Sequence, residues 1–463
     1  MRRVICAVAL VATLAAAPAA GAVTFHDAGG LHLLSAQTLD SRLLALSVST
    51  PALASPANIR ILLPSGYAAH PHRRYPVLYL LHGTSGGAAD WTRLGGAEQT
   101  TSGLPLIVVM PDIALGDDGG GWCTNWYNGG AFGRPEWETF HIDQLIPWVD
   151  ANLRTVAARG GRAIAGLSQG GFCSTSYPAR HPDLFGVALS FSGAPDIAYD
   201  AEAQALVTPV INGTETGLDG APPNSMFGPR QTEEINWAAH DPTTLAINLR
   251  GMDLLMYTGN GQIGPLDSGL PNLEAMAVEG GVEQLTKLFH ARLISLGITS
   301  LFDDYGPGTH AWPYWARDLR WSIGRVMADF AHPRPLPSRI TYMSASASYS
   351  VFGWQVTMRR AVEEFSTLVG AGTSGFELDG SGSATVLTPA RYRRGARYRI
   401  VVRSQSGART LRERAGRVGR LRIPVPLGPS DTVQEYPADG PPIGTTMYRT
   451  HVTITPVRSR SAR

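Results

Sequence analysis

The stretch Ala163-Ile164-Ala165-Gly166-Leu167-Ser168-Gln169-Gly170-Gly171 decides the fold. A short apolar run ends in Gly-x-Ser-x-Gly, and small residues follow where a helix would begin. This is the sequence form of a sharp strand-to-helix turn that lifts a serine hydroxyl above the end of an α/β sheet. Gly166 and Gly170 stand where a Cβ would obstruct the turn. Ser168 is the candidate nucleophile of an acyl-transfer reaction.

The pattern occurs again at Gly83-Thr84-Ser85-Gly86-Gly87, also after an apolar run, Tyr79-Leu80-Leu81. His82-Gly83 opens this copy. That resembles the loop after an early strand which gives a backbone N–H to a developing oxyanion. The two copies read as two halves of one site. Ser168 is preferred over Ser85 because of the order in which the other triad members follow it.

At 463 residues the chain calls for two domains, and 44% hydrophobic against 16% charged residues describes a well-cored globular protein. A net charge of +2 gives no reason to expect nucleic acid. Residues 1–22 read as a signal peptide: Arg2-Arg3, then an apolar stretch, then Ala20-Gly21-Ala22 as an A-x-A cleavage site. The protein is therefore expected to be secreted or associated with the cell envelope. Cleavage would remove Cys6 and leave Cys123 and Cys173. In an exported protein that pair suggests one disulfide; two unpaired thiols are the alternative.

Taken in order, residues 31–50 and 57–63 alternate apolar and polar side chains and predict two opening strands. The runs 75–81 and 104–110 predict strands buried on both faces, and 187–191 and 254–257 predict further strands. Helical spacing covers 139–153, 283–296 and 315–330, and 298–305 predicts the last strand. Helical patterns between strands imply a mostly parallel sheet with helices on both faces. Ala331-His332-Pro333-Arg334-Pro335-Leu336-Pro337 breaks the pattern. The expected layout is a catalytic domain over 23–332 and a small all-β, sandwich-like domain over 338–456. Residues 338–463 hold 19 Arg against 8 Asp or Glu. Such a module either binds an anionic cell-envelope polymer or is a solvated accessory domain.

A serine hydroxyl needs an imidazole to take its proton and a carboxylate to fix the imidazole's tautomer. After the last expected strand the histidine is His310, in Gly306-Pro307-Gly308-Thr309-His310-Ala311-Trp312. His141, His240 and His290 lie elsewhere and read as core or surface residues. The acid should follow the strand at 254–257, which admits Asp267, Glu274, Glu279 and Glu283. Spacing alone favours Asp267.

Several phrases carry a family resemblance: Leu80-Leu81-His82-Gly83, Asn125-Trp126-Tyr127, Trp137-Glu138-Thr139-Phe140, Gly166-Leu167-Ser168, Tyr257-Thr258-Gly259-Asn260-Gly261 and Gly308-Thr309-His310-Ala311-Trp312-Pro313-Tyr314-Trp315. Over about residues 31–330 the chain resembles the secreted α/β-hydrolase family that includes esterase D-type carboxylesterases, feruloyl esterases and mycobacterial mycolyltransferases. The resemblance implies an α/β-hydrolase fold. It also implies a triad of Ser168, His310 and Glu279, because the mycolyltransferase acid lies in a phrase similar to Ala277-Val278-Glu279-Gly280. The backbone N–H groups of Thr84 and Gln169 would form the oxyanion hole. Where mycolyltransferases carry Asp-Gly-Leu-Arg, this chain has His82-Gly83-Thr84-Ser85, so the side chains that help hold their sugar acceptor are absent.

Asp117-Asp118-Gly119 lacks EF-hand spacing, and His70-Pro71-His72 has no partner at metal-ligand spacing, so no metal and no cofactor are expected. Trp126, Tyr127 and Trp312 are candidate substrate contacts; Trp122, Trp126 and Tyr127 read equally well as core plugs. The whole describes an exported serine carboxylesterase acting on a small, lipid or carbohydrate ester. Acyl transfer to a sugar or glycerol hydroxyl is the first alternative, and a non-catalytic binding or adhesion protein on the same fold is the second.

Overall fold

The computed structural model describes residues 23–114, 119–129, 133, 135–434 and 446–457. The expected signal peptide and the Asp117-Asp118 pair lie outside them.

Nine strands form one sheet in the order β1-β2-β3-β5-β4-β6-β7-β8-β9. They are β1 (His32–Thr38), β2 (Leu43–Ser49), β3 (Ala57–Leu62), β4 (Val77–Leu81), β5 (Ile107–Pro111), β6 (Arg162–Leu167), β7 (Val187–Phe191), β8 (Asp253–Thr258) and β9 (Leu301–Asp304). From β5 to β9 every pairing is parallel, while β1, β2 and β3 add antiparallel strands at one edge. The stretch 31–50 is thus a hairpin and not one strand. Asp40 turns it, its Oδ1 accepting the N–H groups of Arg42 (2.7 Å) and Leu43 (2.8 Å); an aspartate that caps its own turn is a local signal.

Two apolar layers follow from the strand period of two. On β4, Leu78 and Leu80 face one core and Val77, Tyr79 and Leu81 the other. Short helices α1 (Asp90–Arg93) and α2 (Ala97–Thr100) and the closing helix α8 (Trp312–Ala331) lie on the first side. On the second lie α3 (Ile146–Asn152), α4 (Gln169–Arg180), α5 (Ala201–Gly213), α6 (Arg230–His240) and α7 (Leu273–Ser295). The helix expected over 139–153 begins as a π-turn at Thr139–Leu145 before α3. Helix α7 starts ten residues before the expected 283, with Asn272 Oδ1 capping Ala275 N–H at 3.1 Å. Gly280-Gly281 lowers the helical propensity there and hides the start.

Residues 340–454 build a separate core between two antiparallel sheets. The six-stranded sheet runs β10 (Ile340–Ser344), β13 (Ser366–Gly372), β14 (Gly375–Gly380), β19 (Tyr448–Pro456), β16 (Arg397–Ser404), β17 (Gly407–Arg414). The four-stranded one runs β11 (Ser348–Val351), β12 (Trp354–Arg359), β15 (Ser383–Leu387), β18 (Arg422–Pro426). Trp354 of one sheet meets Phe376 of the other edge-on, ring centroids 5.4 Å apart. β10 faces the catalytic part. There the buried Asn248 donates to the carbonyls of Ala179 (2.8 Å) and Met343 (2.9 Å) and accepts the Met343 N–H (2.7 Å). Tyr342 O–H donates to Arg180 O at 2.7 Å.

Between β7 and β8 the chain makes a long excursion through α5 and α6, anchored by two fully buried carboxyls. Asp241 accepts the N–H groups of Ile197 (2.7 Å) and Thr244 (2.6 Å), and Asp196 Oδ1 accepts that of Tyr199 (3.0 Å). Asp196 Oδ2 has no hydrogen-bond partner among the described residues. Burial, and then the nearby Asp241 charge, pushes Asp196 up to about 9; burial pushes Asp241 up to about 6.

Two outcomes are expected. Asn248→Ala leaves three backbone groups of the joint short of a partner and costs about 2–3 kcal/mol, read as a lower urea midpoint; an unchanged midpoint would show that the joint does not depend on it. For Asp196 the folded pKa lies above the unfolded value of 3.8, so its contribution favours the fold at low pH and is lost as pH rises toward 9. Asp196→Asn removes that slope. Its stability advantage over the wild type should grow between pH 5 and pH 8.5 by at least about 1 kcal/mol, and a constant difference would refute the assignment.

Candidate active site

Ser168 sits between β6 and α4 with φ +52° and ψ −123°, a conformation rare for a residue bearing a side chain. Glycines make the turn possible. A Cβ on Gly166 would lie 2.1 Å from the Gly170 carbonyl oxygen, and one on Gly170 would lie 2.2 Å from that of His82. The elbow therefore packs directly on the loop after β4. Ser85, the serine of the second Gly-x-Ser-x-Gly copy, also has a positive φ (+58°) but lies in that loop, and its N–H donates to Gly119 O at 3.1 Å.

Glu279 has no exposed surface, and it lies in the second turn of α7. Its Oε2 is 2.7 Å from His310 Nδ1. Its Oε1 accepts Gly259 N–H (2.7 Å) and the hydroxyls of Ser192 (2.8 Å) and Thr258 (3.2 Å). A carboxylate at Nδ1 puts the ring proton there and leaves Nε2 as the basic nitrogen. Nε2 has no hydrogen-bond partner among the described residues. Trp315 packs edge-on against the His310 ring, centroids 4.9 Å apart, and its indole N–H donates to Ser192 Oγ at 3.1 Å. Ser192, directly after β7 with φ +48°, was not singled out from sequence; a hydroxyl at the carboxyl end of a buried strand was the available signal.

Asp267, favoured by spacing, does not reach His310. It accepts Tyr314 O–H (2.8 Å), Gly264 N–H (2.7 Å) and Thr309 Oγ1, and so ties down the loop that carries the histidine. Glu274 is exposed, and Glu283 pairs with Lys287 at 2.7 Å.

The backbone N–H groups of Thr84 and Gln169 have no acceptor among the described residues. The Gln169 side chain locks them in relation to each other. Oriented to satisfy its neighbours, its amide nitrogen donates to Thr84 Oγ1 (2.8 Å) and its oxygen accepts the N–H groups of Gly121 (3.0 Å) and Trp122. His82 Nε2 accepts Ile113 N–H at 3.0 Å, and Nδ1 donates to Gly83 O at 2.7 Å. Asp112 accepts the N–H groups of Asn58 (2.7 Å) and Ala88 (2.8 Å), fastening the same loop to β3. A disulfide, Cys123–Cys173, with Cα atoms 5.5 Å apart, joins the loop at 119–129 to α4.

Trp122 and Trp126 are buried in the core, the Trp126 indole N–H donating to Gly121 O at 3.2 Å. Tyr127 is half exposed, with its O–H on Glu233 at 3.2 Å. Trp312 packs edge-on between Trp91 and Trp315. It lines a cleft of about 520 Å³ together with Asn58, Arg60, Ser85 and Asp90. A second hollow of about 310 Å³ opens at His310, walled by Leu266, Leu270 and Pro313.

His141, His240 and His290 take no part. His141 is buried between Tyr177 O–H and Asp112 O (2.8 Å each), and burial pushes it down to about 4. Glu138 of the Trp-Glu-Thr-Phe phrase is also buried; Arg180 and His181, at 2.8 and 2.7 Å, hold its carboxyl well below the usual range although burial acts against them.

The family model described as "Putative esterase" matches residues 50–324. Esterase Rv1288 of Mycobacterium tuberculosis is 39% identical over 179 residues, 38% of this chain and 37% of that one. Diacylglycerol acyltransferase/mycolyltransferase Ag85B of Mycolicibacterium smegmatis is 34% identical over 226 residues, 46% of this chain and 64% of its own. This chain therefore spans little more than a third of the one relative and under two thirds of the other. Among solved structures, that of Mycobacterium tuberculosis MPT51 superposes with a TM-score of 0.50 at 24% identity, covering 62% of this chain and 97% of that one; this is a likeness of fold. Matched by the family model over more than half its length, the chain belongs to this esterase family.

Proposed function

We propose that the protein is an exported serine carboxylesterase, with Ser168 as nucleophile, His310 as general base and Glu279 as the group that orients it. The observation that carries the reading is the buried Glu279–His310 hydrogen bond, on the same sheet edge as a serine held at an elbow. His310 Nε2 takes the proton of Ser168 Oγ as Oγ bonds to the ester carbonyl carbon. Charge moves to the carbonyl oxygen, which the free N–H groups of Thr84 and Gln169 stabilise. The tetrahedral species collapses, the C–O bond to the alcohol breaks, and the imidazolium returns its proton to the departing alkoxide. Water then attacks the acyl-enzyme, giving its proton to His310, and the acid leaves as Ser168 recovers its hydrogen.

Acyl transfer differs only in the second step, with an alcohol in place of water. Two observations favour keeping it in view: the 34% identity to Ag85B and the polar cleft beside the Thr84 loop, roomy enough for an alcohol larger than water. Export rests on the sequence of residues 1–22, with Arg2-Arg3, an apolar stretch and Ala20-Gly21-Ala22 in signal-peptide order; no helix among the described residues is long and apolar enough to cross a membrane.

The test is turnover of p-nitrophenyl esters of increasing chain length, with and without glycerol. Ser168→Ala should lower kcat/KM by about a thousandfold or more. Glu279→Gln should lower kcat by at least about a hundredfold. Asp267→Asn should cost less than about tenfold, as a loop support and not a triad member. Free acid as product establishes the esterase, and acylated glycerol as the main product establishes the transferase. Turnover that survives Ser168→Ala would overturn both.

A further inference from the structure

The segment 391–422 holds 12 Arg and a single acid, Glu413, and the fold gathers much of that charge on one face. On β16 the inward residues are Tyr398, Ile400 and Val402, all buried, which turns Arg397, Arg399 and Arg403 outward. β17 is the edge of its sheet, and its register sets Arg414 opposite Arg397 and Arg412 opposite Arg399. Residues directly opposite in an antiparallel pair have Cα atoms about 4.5–5.5 Å apart, and like charges so placed are destabilising. Two such pairs stand in successive same-face registers. Among the described residues none of these five guanidinium groups pairs with a carboxylate.

Edge strands do carry charge to discourage strand addition. That purpose needs charge on β17 alone. It does not account for arginines on β16, one strand in, at the registers that maximise repulsion. An external anion seated between the forks would offset a cost accepted on both strands.

We propose that the outer face of β16 and β17 binds an anionic polysaccharide, Arg397, Arg399, Arg403, Arg412 and Arg414 pairing with carboxylate groups along an extended chain. Successive same-face residues lie about 7 Å apart, so the arginines form a two-row strip along which a linear polymer can run. Between them stand Val401, Ala408 and Thr410, none a large exposed apolar side chain, which disfavours insertion into a lipid surface. The preference for a polysaccharide over nucleic acid rests on the export proposed above. The strip lies four to five strands from β10, the strand at the catalytic part, roughly 19–24 Å at the usual strand spacing. Bound polymer would thus hold the enzyme on a surface while the serine site stays open.

The experiment titrates the whole chain with polygalacturonate, with neutral dextran, a short DNA duplex and phosphatidylglycerol vesicles as comparators. Binding to polygalacturonate should weaken steeply with salt. It should fall at least about tenfold in Arg397→Ser/Arg399→Ser/Arg412→Ser/Arg414→Ser and persist when the same four become Lys. The pair variants Arg397→Ser/Arg414→Ser and Arg399→Ser/Arg412→Ser give the same reading at lower risk to the fold, each losing part of the affinity. Turnover of a soluble p-nitrophenyl ester should be the same in every variant, which separates this proposal from the catalytic one. Wild-type affinity in the serine variants, no binding by the wild type, or tighter binding to DNA, vesicles or dextran would each overturn it.

Discussion

A carboxylate with no exposed surface is tolerated only when its charge is met on every side, and Glu279 meets that condition through groups drawn from three strand ends. Ser192 follows β7, Thr258 ends β8 and Gly259 follows it, and His310 stands on the loop after β9. The parallel order β6-β7-β8-β9 is what brings these ends to one edge, beside the serine that follows β6. Trp315, from α8, closes the arrangement by donating to Ser192 and packing on the imidazole. Displacing any one of these elements would leave a buried charge under-solvated, so the edge holds its geometry as a unit.

The same constraint explains what could be read from the sequence. The elbow was legible because a positive φ at Ser168 and the approach of the loop after β4 both demand glycines at fixed offsets, and those glycines are written in the chain. The continuous apolar runs of β4, β5 and β7 were legible because both faces are buried. His310 followed from its place after the last strand. Spacing did not choose among the acids, since Asp267 is also polar, also near β8, and also hydrogen-bonded within the His310 loop; the resemblance of Ala277-Val278-Glu279-Gly280 to a family phrase pointed to Glu279. In the fold, geometry separates the carboxylate at the imidazole from the one that braces the loop carrying it. Helix α7 was missed over its first ten residues because Gly280-Gly281 weakens the local signal, while packing of Leu285, Phe289 and Leu293 into the core stabilises the helix regardless. Ser192 was missed for a related reason: a small polar residue acquires its role only from the partners that other strands bring to it.

Charge is divided along the chain in a way the net value conceals. Residues 1–337 hold 20 basic and 29 acidic side chains, while residues 338–463 hold 19 and 8. Two oppositely charged parts of one chain would be expected to meet through ion pairs if mutual attraction placed them. The joint is made otherwise. Asn248 pairs with the backbone of Met343, Tyr342 donates to a carbonyl at the end of α4, and Phe352 N–H donates to Asp183 at 3.0 Å. These directional contacts fix β10 against the catalytic part and thereby turn the opposite edge of its sheet outward. Within 391–422 no arginine is neutralised by a carboxylate across that joint among the described residues. Directional hydrogen bonds to backbone groups at the joint, with cationic charge kept at the far edge, separate attachment from attraction: the module is placed by contacts other than ion pairs between side chains, while whatever its arginines hold must depend on salt.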